Sequence, residues 1–138
     1  MLFNIVAVSH PGSMLLPPTH SKAELIEVVR ITDPARHLTS QDLAGDDVAL
    51  WEGDQAHQVL ALIADLPSSE LHRCFLPGWG IRAHSSTGLL FEIAFCFRCH
   101  AARIWGPDLA VEHQGDTFDP DSPAALQLLR RFRSCVTD

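Results

Sequence analysis

Positive charge is scarce in this chain. Its 138 residues carry ten Lys and Arg against 17 Asp and Glu, a formal net charge of −7. Lys22 is the single lysine, and the other basic residues are arginines, a bias that points to a GC-rich bacterial source. A basic footprint for nucleic acid is excluded, because phosphate recognition needs clustered Lys and Arg.

Long hydrophobic runs are missing as well. A membrane helix needs about 18–20 apolar residues, and no stretch here approaches that length. The opening "MLFNIVAVSHPG" has no basic residue ahead of its apolar core and no small-residue cleavage site after it. A signal peptide carries both. The stretch reads as a first strand, Leu2–Val8, and the chain is expected in the cytoplasm. Cysteines are kept reduced there. Cys74, Cys96, Cys99 and Cys135 are therefore expected to be thiols or metal ligands rather than disulfides.

Catalytic signatures are absent too. There is no G-x-S-x-G, no phosphate-binding loop and no G-x-G-x-x-G. "PGWG" has glycines but no lysine and no helix after it, so it reads as a turn. No repeat, low-complexity tract or linker divides the chain. Residues 1–138 read as one domain, long enough to bury a core without disulfide staples.

What is present is an alternation of strand and helix patterns. In "KAELIEVVRIT" the pair Ser21 and Glu24 would suit a capping box, yet Ile26, Val28, Val29 and Ile31 are β-branched and favour a strand. The strand is preferred. "VALW" reads as a short strand. Asp54 is a candidate N-cap for a helix over "QAHQVLALIADL", with Val59, Leu62, Ile63 and Leu66 on its buried face. "LHRCF", "GIRAH", "LLFEIAFCF" and "AARIWG" follow as four strands of an antiparallel meander, with Gly88 in the turn before the third. That third strand is apolar on both faces except at Glu92. It is expected to be central, with Glu92 pairing to Arg82 or Arg103 on a neighbouring strand. Ser122 as N-cap and Pro123 at the first helical position open a final helix striped by Ala125, Leu128, Leu129 and Phe132. The fold class is α+β: an antiparallel sheet of about 4–6 strands with two main helices packed on one face.

Two groups of residues are candidate sites. Asp42, Asp46, Asp47, Glu52 and Asp54 lie together without a compensating base, and "GDTFDPD" adds Asp116, Asp119 and Asp121. They suit a solvated face, or a surface that steers toward a basic partner. Trp51, among them, reads either as the aromatic centre of that surface or as the inward residue of an edge strand. Trp79, in "PGWG", reads as an exposed anchor or as a ring folded back onto the sheet.

The second group is "FCFRCH". Cys96 and Cys99 have the C-x-x-C spacing of one zinc knuckle, and zinc wants four N or S ligands. Cys74, with His72 two residues before it, could add to the set, and His84 and His100 are other possible fourth ligands. Side chains alternate along a strand, so both thiols reach one metal only if the chain turns at Phe97-Arg98. A redox pair generally sits at a helix N-terminus; this pair ends a strand and no helix follows. Alternatively the cysteines pack as small hydrophobes in the core.

The block "CFLPGWGIR" followed by "FCFRC" resembles a family of small bacterial proteins of unassigned function. Its pattern is similar to Cys-Phe-x-Pro-Arg-His-Gly-Ile-Arg, a hairpin, then Ile-Cys-Phe-x-Cys. Cys74, Phe75, Pro77, Gly80, Ile81, Arg82, Cys96, Phe97 and Cys99 match. Gly78 and Trp79 stand where the family has Arg-His. The resemblance implies that Cys74, Cys96 and Cys99 belong together in space, and it implies no activity.

The functional expectation is a non-enzymatic protein-binding module of inhibitor or immunity type, facing a basic protein partner through Asp46, Asp47, Trp51, Glu52 and Trp79. The alternative is a zinc or thiol site on Cys74, Cys96, Cys99 and a histidine such as His72.

Overall fold

The computed structural model describes residues 16–34, 43–70, 75, 77–107, 109 and 115–136. The strand expected at Leu2–Val8 lies outside the described residues, as do residues 71–74 of the one expected at "LHRCF". Phe75 is buried but belongs to no strand.

A short 3-10 helix, Pro18–Lys22, precedes strand β1, Leu25–Arg30. The β-branched side chains of Val28 and Val29 thus prevail over the capping box, and Ser21 and Glu24 start no α-helix. Strand β2, Asp46–Glu52, runs directly into helix α1, Gly53–Ala64. Gly53 takes a positive φ of 54° at this change of direction, which glycine permits without a Cβ penalty. Glu52 occupies the N-cap position with no side-chain cap bond. Asp54 therefore lies in the first turn rather than capping it, still near the positive end of the helix.

Strands β3 (Trp79–Ser85), β4 (Gly88–Cys96), β5 (Ala101–Trp105) and β6 (Gly115–Thr117) follow, then helix α2, Pro123–Ser134. The sheet is antiparallel throughout, in the order β2-β1-β3-β4-β5-β6. The meander is β3 to β6, and β4 is an inner strand as its apolar sequence requires.

Parity divides the sheet into two faces. Ile26 and Val28, Ile81 and Ala83, Phe91, Ile93 and Phe95, and Ala102 and Ile104 face the two helices. Ala56, Val59, Leu60 and Ile63 of α1, with Ala125, Leu128 and Phe132 of α2, close this core from above. Full burial of each large apolar side chain stabilises the fold by about 1.5–3 kcal/mol. Ser122 caps α2: its Oγ accepts the Ala125 N–H at 3.3 Å and donates to the Asp119 carbonyl at 2.8 Å. A smaller cluster lies on the other face, built from Val29, Ile31, Leu43, Phe75, Ala94, Cys96 and Cys99.

Candidate functional site

The acidic group of Asp46, Asp47, Glu52 and Asp54 lies on β2 and the start of α1, and β2 is the outermost strand of its side of the sheet among the described residues. Gly45 sits so close to the Arg30 carbonyl and to Cγ1 of Val29 that a side chain there would collide with both. This lets the chain enter alongside β1. Asp46, Asp47 and Glu52 are exposed, as is Asp54 in the first turn of α1. Leu50, on the same face of β2 as Asp47 and Glu52, has 56% of its surface open.

A β-bulge sets which way these side chains point. Val28 pairs with Ala49 but Val29 pairs with Asp47, so Val48 is the extra residue. Without the bulge Asp47 would share the helix-side face of Trp51, because parity is strict along a regular strand. With it, Asp47 reaches the back face, where Arg82 Nη1 donates to Asp47 Oδ1 at 2.7 Å. Arg82 Nε donates to Glu92 Oε2 at 2.9 Å, and Nη2 donates to the Leu43 carbonyl at 3.1 Å. Burial works against the Arg82 charge, but the bonds to Glu92 and Asp47 outweigh it and hold its pKa above the ordinary guanidinium value. Beside it His84 Nε2 and Glu27 Oε1 lie 2.6 Å apart. Leu50, Glu27, Arg82, Glu92 and Trp105 thus form one cross-strand row over five strands.

Of the two readings open for each tryptophan, the structure has the inward one: Trp51 is buried and Trp79, half-buried, is folded back onto the sheet. Trp51 is 8% exposed and points to the helix side of β2, stacked on Phe132 with ring centroids 5.8 Å apart. Trp79 begins β3 rather than a loop tip and stacks on the same Phe132 at 5.3 Å. Each gains more from burying its ring against α2 than from solvent exposure.

Cys96 and Cys99 meet across the turn between β4 and β5. The chain does turn at Phe97-Arg98, and the left-handed conformation it requires falls on His100, with φ 59°. The bulky Phe97 and Arg98 are thereby spared it. The two cysteines are joined as a disulfide, with Cα atoms 5.1 Å apart, where the sequence reading expected thiols or metal ligands. The Cys99 N–H also points at Cys96 Sγ, 3.1 Å away. Both residues are 1% exposed. His72 and Cys74 lie outside the described residues. Among the described residues no group of three His, Cys, Asp or Glu side chains is placed to hold a metal ion. Phe75, next in sequence to Cys74, packs in the same cluster as Cys96 and Cys99.

Sequence reasoning missed Glu27 and Leu50, and it read His84 as a possible metal ligand rather than as the partner of Glu27. The Glu27–His84 pair could have been found as polar residues alternating with β-branched and apolar ones; Leu50 follows from alternation once Trp51 is known to point inward.

No family model, no curated protein and no solved structure matches this chain. No helix among the described residues is long and apolar enough to cross a membrane.

Proposed function

We propose that the chain is a non-enzymatic protein-binding module, of inhibitor or immunity type, that takes a basic protein partner along β2 and the start of α1. The observation that carries this reading is the run of exposed carboxylates Asp46, Asp47, Glu52 and Asp54 along β2 and the start of α1, with the exposed Leu50 on the face of Asp47 and Glu52. The carboxylates raise the encounter rate with a positive partner and disfavour acidic ones. Leu50 supplies the apolar contact that a polar rim surrounds in protein interfaces. An outer strand also offers main-chain groups to an extended segment of the partner. Arg82 neutralises only part of this charge, since Asp47 keeps 57% of its side chain open beside it. A basic partner has two or more carboxylates left to engage.

The test uses the immobilised chain to capture partners from cell extract at low and at high salt, beside a variant carrying Asp46→Lys, Asp47→Lys and Glu52→Lys. A basic protein held by the wild type, released by salt and not held by the variant supports the reading, provided the variant melts cooperatively. A variant that captures the same proteins as the wild type would sink it.

A further inference from the structure

We propose that Cys96 and Cys99 form a reversible dithiol–disulfide site whose co-substrate is a low-molecular-weight thiol. Three observations meet here. The disulfide closes a gap of only two residues, so it removes little freedom from the unfolded chain and holds little of the fold together. Its sulfurs lie in the small cluster on the back face, where two separate thiols would pack as small hydrophobes equally well. Both oxidation states are therefore compatible with the packed sheet, and the change on reduction is confined to the turn and what it holds. Finally, the Cys99 N–H is shared between the Cys96 carbonyl at 3.2 Å and Cys96 Sγ at 3.1 Å, and a donor at sulfur, even a shared one, stabilises the thiolate over the thiol.

That donor assigns the direction of reaction. A small thiolate attacks the Cys99 sulfur and forms a mixed disulfide with it. The Cys96 sulfur leaves with the electron pair, stabilised by the Cys99 N–H, and then takes a proton from solvent. A second thiol molecule attacks the sulfur of the first and releases Cys99 as a thiol. The balance is one protein disulfide and two small thiols giving one protein dithiol and one small disulfide. Burial of both cysteines restricts the co-substrate to molecules that can slip past the turn, where Arg98 is exposed and Phe97 half-buried.

The reaction changes more than the bond. His100, at the end of the turn, accepts the Phe118 N–H on its carbonyl at 3.0 Å, and its Nδ1 lies 3.2 Å from Ser69 Oγ. Ser69 is in turn held by Thr117, whose Oγ1 donates to the Ser69 carbonyl at 2.6 Å. Reduction loosens the turn and with it the attachment of β6 and the lead into α2.

The test equilibrates the native chain in buffers of reduced and oxidised glutathione, then alkylates it in denaturant and maps the adducts. Adducts at Cys96 and Cys99 should appear together as the reduced share rises and vanish when oxidised glutathione is restored. Hydrogen exchange at the Cys99 and Phe118 amides should then run about tenfold faster in the reduced form, as expected for a locally opened segment. A chain with Cys96→Ala and Cys99→Ala should exchange at the fast rate in both buffers. A pair that excess dithiothreitol cannot reduce in the native chain overturns the proposal, as does a pair that stays reduced in oxidised glutathione. Zinc uptake that shields both thiols of the reduced chain would also overturn it, making the pair a metal site. Reversible chemistry with unchanged exchange would overturn the link to β6.

Discussion

Arg82 governs the charge balance of the back face. Its partner Glu92 is 8% exposed, so removing the guanidinium leaves a carboxylate with little water to replace it. Arg82→Leu is expected to cost about 3 kcal/mol, the scale for breaking a largely buried pair. Asp47→Asn, at the open end of the same network, should cost under about 1 kcal/mol. Urea denaturation of the two variants checks both; equal costs would mean that Glu92 is hydrated after all. The Arg82–Glu92 bond was legible in the sequence, because a lone glutamate in an apolar strand needs a cation on the next one. Arg103, the other candidate, lies over the Phe75 ring at 4.8 Å. The share of Asp47 was not legible, since no local residue type marks the bulge that turns it. Cys135 offers a second test at this scale. It is the one free cysteine among the described residues, and burial pushes its thiol pKa up. Folding thus favours the protonated thiol, so stability should fall as pH climbs from the ordinary thiol range through the raised value. Thiolate is the reactive form. Cys135 should label several-fold more slowly than the same thiol in denaturant, and an equal rate would show it to be solvated.

Elements follow from sequence where one local signal suffices and depart from it where neighbours decide. Helix α2 is of the first kind: Ser122 caps it and Pro123 begins it, as the sequence indicates. Ser122→Ala should cost about 1 kcal/mol, and somewhat more here because the hydroxyl also holds the Asp119 carbonyl. A melting curve unchanged by that substitution would mean the cap is redundant. Strand β6 is of the second kind. Gly115, Asp116 and Thr117 carry no strand pattern, and pairing with β5 alone makes them one. Trp51 belongs here as well: its acidic neighbours left an exposed and an inward ring equally open, and position on β2 turns it inward. The entry of β2 rests on Gly45. A Cβ there meets the backbone carbonyl of Arg30, which cannot yield as a side chain can. Gly45→Ala should therefore push β2 from β1, cost about 1–3 kcal/mol as overpacking does, and weaken capture of a basic partner. Intact capture with the same loss of stability would separate the binding surface from the position of this strand.

At the scale of the whole molecule the sheet has two unequal faces, and Phe132 joins its larger face to the helices. Its ring contacts Trp51 of β2, Trp79 of β3 and Phe95 of β4, with centroid distances of 5.8, 5.3 and 5.7 Å. It also meets Phe97 of the turn that carries the cysteines, at 6.2 Å. One α2 side chain therefore touches the strand that bears the acidic surface and the hairpin end that bears the disulfide. Phe132→Ala is expected to cost about 3–5 kcal/mol. Stability totals about 5–15 kcal/mol for a typical protein, so this loss should shift unfolding by urea strongly downward. Trp51 and Trp79 should then redden in emission in the same transition in which helical circular dichroism is lost, because both rings and α2 share that contact. If the tryptophans redden while the circular dichroism transition stays in place, α2 peels from a sheet that stands by itself. In that case the acidic strand and the cysteine turn would be independent units rather than two ends of one packed layer.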